Sequence, residues 1–221
     1  MRRRTVCAAL ALLVFALAVP AVAEAFLATI TNPADPGATP SCPGSTTVPC
    51  TVVSRTTALQ VEVGTTHDPF AITTPARIVG WQVALSSPTA AQVRFFDAHE
   101  GGTAEASLAI LRQTRGLSYR LDYVSPPVRL EPYFGRTATF ALPASVAVHT
   151  GDEIALSVPT WAPALELNAG RRAAWRASRA SGACGDVTLE TAQLTLGDVS
   201  EYSCIYRTAL IDFGAIEIST P

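Results

Sequence analysis

A chain of 221 residues, 48% of them apolar and 15% charged, is long enough for one domain with a sizeable core. Its formal net charge of −2 offers no basic surface for nucleic acid. No lysine occurs, which excludes a Schiff-base lysine, a phosphate-loop lysine, a serine–lysine dyad and lysine–asparagine cross-links.

The chain opens with the charged segment Met1-Arg2-Arg3-Arg4, runs through apolar residues from Val6 to Val19, and reaches Pro20-Ala21-Val22-Ala23, with small residues three and one before a cut. These are the three regions of a secretory signal peptide. The pattern predicts a cleaved signal peptide over residues 1–23, with Ala25 as the second cleavage position. An uncleaved anchor needs about 20 apolar residues, and this run is shorter and carries Pro20. Loss of the three arginines takes the net charge to about −5. The expected location is secreted, either extracellular or associated with the cell envelope, with no transmembrane segment after cleavage.

Cleavage also removes Cys7 and leaves Cys42, Cys50, Cys184 and Cys204. An even count in an exported chain predicts disulfides, and four cysteines allow three pairings. The nearest-neighbour pairing, Cys42 with Cys50 and Cys184 with Cys204, is favoured because each bond staples a short irregular segment. Zinc is disfavoured: there is no Cys-x-x-Cys, and no histidine lies near Cys184 or Cys204. No metal and no cofactor is expected.

Residues 24–49 read as an N-terminal loop segment, densest in Pro, Gly, Ser and Thr from Asn32 to Pro49. From residue 50 to 221 the signal is period two, as expected of a single β-sandwich domain. Leu59, Val61 and Val63 alternate with Gln60 and Glu62, and Val79, Trp81, Val83 and Leu85 share a face that places Trp81 in the core. Leu117, Tyr119, Leu121 and Tyr123 repeat the pattern, as do Ile154, Leu156 and Val158. Turn signals separate these runs at Ser86-Ser87-Pro88, His99 to Gly102, Arg115-Gly116, Glu131-Pro132, Thr150-Gly151-Asp152, Asn168-Ala169-Gly170 and Leu196-Gly197-Asp198. Only Ala169–Ala180, rich in Ala and Arg, has the composition of a short helix. Without crossover helices a parallel α/β sheet is excluded. The expected fold is all-β: an antiparallel two-layer sandwich, jelly-roll-like, with ten or more strands.

Three segments carry a resemblance: Pro75, Ile78 and Trp81 opening one strand; Leu108-Ala109-Ile110-Leu111-Arg112; and Gly151-Asp152-Glu153-Ile154. In these, residues 72–158 resemble uncharacterised exported β-sandwich proteins of actinobacteria. The resemblance implies a jelly-roll-like sandwich and supplies no activity.

Each histidine lies near a carboxylate: His67 by Asp68, His99 between Asp97 and Glu100, His149 three before Asp152. All three fall at turn signals, where such residues occur for local reasons. Asp97 and His99 would share a face on a continuing strand, which gives one alternative reading, a secreted hydrolase using the His99 region. Gly-x-Ser-x-Gly and His-Glu-x-x-His are absent. Trp161 lies in the loop-like Pro159–Pro163, and Trp175 in the basic cluster Arg171–Arg179. Flat rings beside guanidinium groups make a sugar or polyanion platform. The expected ligand-binding residues are therefore Trp161, Arg172, Trp175 and Arg176. A plainer reading turns Trp175 inward and leaves Arg172 and Arg176 on a solvated face. The leading expectation is an exported non-catalytic module that binds a cell-wall or extracellular polysaccharide. A structural envelope or assembly subunit is a further alternative.

Overall fold

Period-two runs become strands wherever one face can be buried. The structure, a computed structural model, describes residues 26–31, 40, 50–186 and 188–219. The predicted signal peptide and Cys42 lie outside the described residues. Fifteen strands occur among them: β1 (Leu27–Thr31), β2 (Val53–Val63), β3 (Thr66–His67), β4 (Ala76–Ala84), β5 (Glu105–Arg115), β6 (Ser118–Val124), β7 (Val128–Arg129), β8 (Thr137–Val148), β9 (Asp152–Ala162), β10 (Leu165–Leu167), β11 (Ala173–Ala177), β12 (Val199–Glu201), β13 (Cys204–Arg207), β14 (Ala209–Ile211) and β15 (Phe213–Ser219). The strand pairings within the sheets are antiparallel.

A four-stranded sheet runs β1-β15-β4-β8, and a larger one runs β12-β6-β5-β9-β2-β11-β13, with β3 on β2 and β7 on β5; β10 and β14 form a small third sheet. Ile78, Trp81, Val83, Phe213 and Ala215 from the small sheet share one core with Ala58, Leu108, Ile110, Ile154, Leu156 and Val158 from the large one. Two layers facing across a common core are an all-β sandwich. Each large aliphatic side chain buried there contributes about 1.5–3 kcal/mol.

The large sheet curls. Strands β12 and β13 stand at opposite ends of its order, yet only Tyr202 and Ser203 separate them in sequence. Three peptide steps of 3.8 Å hold those ends within about 11 Å of each other. Tyr202 packs with Leu59, Ala109, Leu111, Tyr119, Leu121 and Ala155, a second core on the face opposite the sandwich core. Because the connection closes over that face, it is the inside of a half-barrel. One end of the half-barrel is plugged by polar contacts. The Gln193 amide nitrogen donates to Thr57 Oγ1 at 2.8 Å, Ser157 Oγ donates to the Gln193 carbonyl at 3.0 Å, and the Tyr202 hydroxyl donates to Gln193 Oε1 at 2.5 Å. The Cys184–Cys204 disulfide ties the covering segment to β13, as the pairing argument predicts. Cys50 is also disulfide-bonded.

The structure differs from the sequence reading in four places. Leu27–Thr31 lies inside the segment read as loop but pairs with β15. Between Ile78 and Gly80 the register of β4 with β8 shifts. A bulge adds one residue and flips the face, so Ile78 and not Val79 points inward with Trp81. The Ala169–Ala180 segment is not helical and contains strand β11. The one α-helix among the described residues, α1 (Ala90–His99), lies where no helix is expected. A capping box starts it: Gln92 N donates to Thr89 Oγ1 at 3.3 Å and Thr89 N to Gln92 Oε1 at 2.6 Å.

Candidate functional site at the open end of the half-barrel

Alternation along the start of β9 sends adjacent acids to opposite faces. Asp152 points to the sandwich side, where it pairs with Arg112 and accepts a 2.7 Å hydrogen bond from His149 N. Arg112 also lies 3.7 Å from Asp122, which Arg120 holds at 2.6 Å. Glu153 stands opposite Leu111 and so faces the inside of the half-barrel. Between β2 and β9 a turn is wedged at Asp68, whose φ of +48° is in the left-handed region. Its amide donates to Val61 O at 3.0 Å, and three residues later Ala71 bridges Glu153. Tyr119 enters from β6, edge-on to Tyr202 at 5.1 Å. Arg176 enters from β11 opposite Leu59.

These groups act on one another. Burial pushes the Glu153 carboxyl up to about 8, and the negative charges of Asp68 and Asp152 push in the same direction. Its Oε2 is buried without a hydrogen-bond partner among the described residues. Burial raises the Tyr119 phenol too, with Glu153 and Asp68 adding to the rise and Arg176 opposing it. At neutral pH Glu153 is therefore a protonated donor beside the exposed carboxyl of Asp68. Glu153, Asp68 and Tyr119 thus lie near enough to act on one another, and two carboxyls with a phenol complement a group that both gives and takes hydrogen bonds. On the far side of the Asp68–Ala71 turn a shallow cleft of about 180 Å³ is lined by Ile30, Ala71, Ile72, Thr73, Thr74 and Glu217.

The four residues expected to bind ligand do not form one surface. Trp161 is fully buried, not loop-exposed: its indole nitrogen donates to Asp97 Oδ1 and to Gly102 O, both at 3.0 Å, and Phe96 packs on its ring at 5.0 Å. Trp175 is 5% exposed and stacks on Tyr206 at 4.4 Å, so its ring presents no platform to solvent. Arg176, one residue on, takes the opposite face of β11 and donates to the carbonyls of Tyr202 and Ser203 at 2.9 and 3.3 Å. Arg172 is exposed, in the turn before the strand. Of the plainer reading, Trp175 turned inward and Arg172 exposed fit the structure, whereas Arg176 is not on a solvated face but lies partly buried on the inner face of the half-barrel.

The His99 region does not assemble an acid–base pair. On a helix, residues two apart do not share a face. The Asp97 carboxylate is taken by Trp161, while His99 stacks on Phe95 at 4.4 Å with its Nδ1 2.7 Å from the Phe95 carbonyl. Among the described residues no group of three or more His, Cys, Asp or Glu is placed to hold a metal ion. No helix among them is long and apolar enough to cross a membrane.

Fold and site define a disulfide-bonded, all-β sandwich with a carboxyl that burial pushes up to about 8 on the inner face of its curled sheet. Comparison with protein-family models, with curated proteins and with solved structures finds no match.

Proposed function

We propose that this chain is an exported, non-catalytic β-sandwich module that binds a polyhydroxylated ligand, a glycan, at the open end of its half-barrel. The observation that carries the reading is Glu153: a half-buried carboxyl, protonated at neutral pH, with one oxygen unbonded beside Asp68 and Tyr119. Sugar hydroxyls donate and accept, so they satisfy a neutral carboxyl and a carboxylate together. The two negative neighbours of Glu153 favour a neutral sugar over a polyanion. Export rests on the N-terminal signal pattern, and a disulfide is at home in an oxidising compartment.

Titration calorimetry of the mature protein against neutral and acidic oligosaccharides tests this. Binding of a neutral glycan that is lost in Asp68→Ala and kept in Glu153→Gln supports it; indifference to both substitutions contradicts it. A second reading, glycoside hydrolysis, draws on the same pair, because a carboxyl whose pKa burial raises, beside a second carboxyl, is the apparatus of acid–base cleavage. Release of reducing ends by the wild type, abolished in Glu153→Gln, would favour hydrolysis over simple binding.

A further inference from the structure

Near the Gln193 plug, two arginines each keep a buried Nε that has no hydrogen-bond partner among the described residues. Arg55 follows a point where the register of β2 with β9 shifts, between Ser54 and Thr56, and its φ is +51°. Arg179 is 3% exposed, yet among the described residues its guanidinium donates only to neutral oxygens: the Ser54 carbonyl at 2.9 Å and the Tyr206 hydroxyl at 3.2 Å. The Nε atoms of both arginines are buried and hydrogen-bonded to nothing among the described residues. A buried cation needs a charge partner; Glu190, between β11 and β12, is acted on by both guanidinium groups, and Arg179 also acts on the exposed Asp186. The fit is loose. Glu190 Oε2 stands 3.7 Å from Arg55 Nε, its Oε1 accepts from the Ala192 amide at 3.0 Å, and its side chain is 44% exposed. Guanidinium forks are shaped for two parallel bonds to one carboxylate, and Glu190 does not make them.

We propose that Arg55 and Arg179 form a binding site for a carboxylate-bearing ligand, in which Glu190 is an internal stand-in that the ligand displaces. The site is separate from Glu153: six residue steps along β2, from Arg55 to Val61, set the two about 20 Å apart. It takes an anion where the mouth takes hydroxyl groups.

Glucuronate is the probe, with glucose titrated in parallel so that sugar recognition at the mouth is subtracted. Wild type is expected to bind glucuronate weakly, and Glu190→Gln, which removes the competing charge, at least tenfold more tightly. Adding Arg55→Gln to Glu190→Gln should return the affinity to the wild-type level or below. Thermal melts check that each variant is folded, which the exposure of Glu190 makes straightforward. Glucuronate binding no tighter in Glu190→Gln than in wild type overturns the proposal, as does a double variant that binds like Glu190→Gln.

Discussion

The raised pKa of Glu153 has a thermodynamic cost. Its carboxyl titrates near 4.5 when exposed and near 8 in the fold, so between those values the folded state holds a proton that the unfolded state has lost. Stability is therefore full below pH 4.5 and falls as pH rises towards 8, by on the order of 4–5 kcal/mol at the upper limit. Glu153→Gln keeps the neutral shape and removes the titration. Calorimetric melts should show the variant melting higher than wild type at pH 9 and alike at pH 4. The tryptophans make an opposite case, being structural where binding was expected. Truncating Trp175 opens a cavity against Tyr206, Gln60 and the sandwich core, and Trp175→Ala should lose about 3–5 kcal/mol in urea melts. An unchanged midpoint would return Trp175 to the surface.

Among the elements, the strands were the easiest to read. Leu59 to Val63 and Ile154 to Val158 alternate cleanly because each strand lies between one fixed face and another. The bulge at Ile78–Gly80 was not legible, since one inserted residue leaves the local composition unchanged while reversing every later side chain. Gly80 was its trace: a β-carbon there would stand 2.8 Å from the Phe140 carbonyl. Helix α1 escaped because it buries only Phe96, so its apolar stripe is faint. Thr89-Ala90-Ala91-Gln92 was the readable signal, a capping box behind Pro88. Thr89→Ala should cost about 1 kcal/mol, measured by chemical denaturation. The staple across the covering segment is worth more. Replacing Cys184 and Cys204 together by serine should cost about 3 kcal/mol by loop-closure entropy, and should raise amide exchange at Gln193 and Thr191 first.

For the whole molecule, the sandwich follows from strand patterning, and the half-barrel does not. That β12 and β13 end a sheet from opposite sides while adjoining in sequence is a fact of topology, and no local window contains it. The same holds for the site. Asp68, Tyr119, Glu153 and Arg176 come from four separate segments; the first three had an ordinary local reading as a turn residue, a patterned strand aromatic and the start of a strand, while Arg176 was read as ligand-binding with Trp161, Arg172 and Trp175, which do not join it. What raises the Glu153 pKa is burial first, then the negative neighbours Asp68 and Asp152. The central claim is therefore a claim about one proton. Neutral-glycan affinity of the wild type and of Glu153→Gln, measured by calorimetry from pH 6 to pH 9.5, tests it most directly. Wild-type affinity should hold to about pH 8 and then fall about tenfold per pH unit as the donor is lost, while Glu153→Gln stays level throughout. Parallel curves for the two proteins would contradict the account.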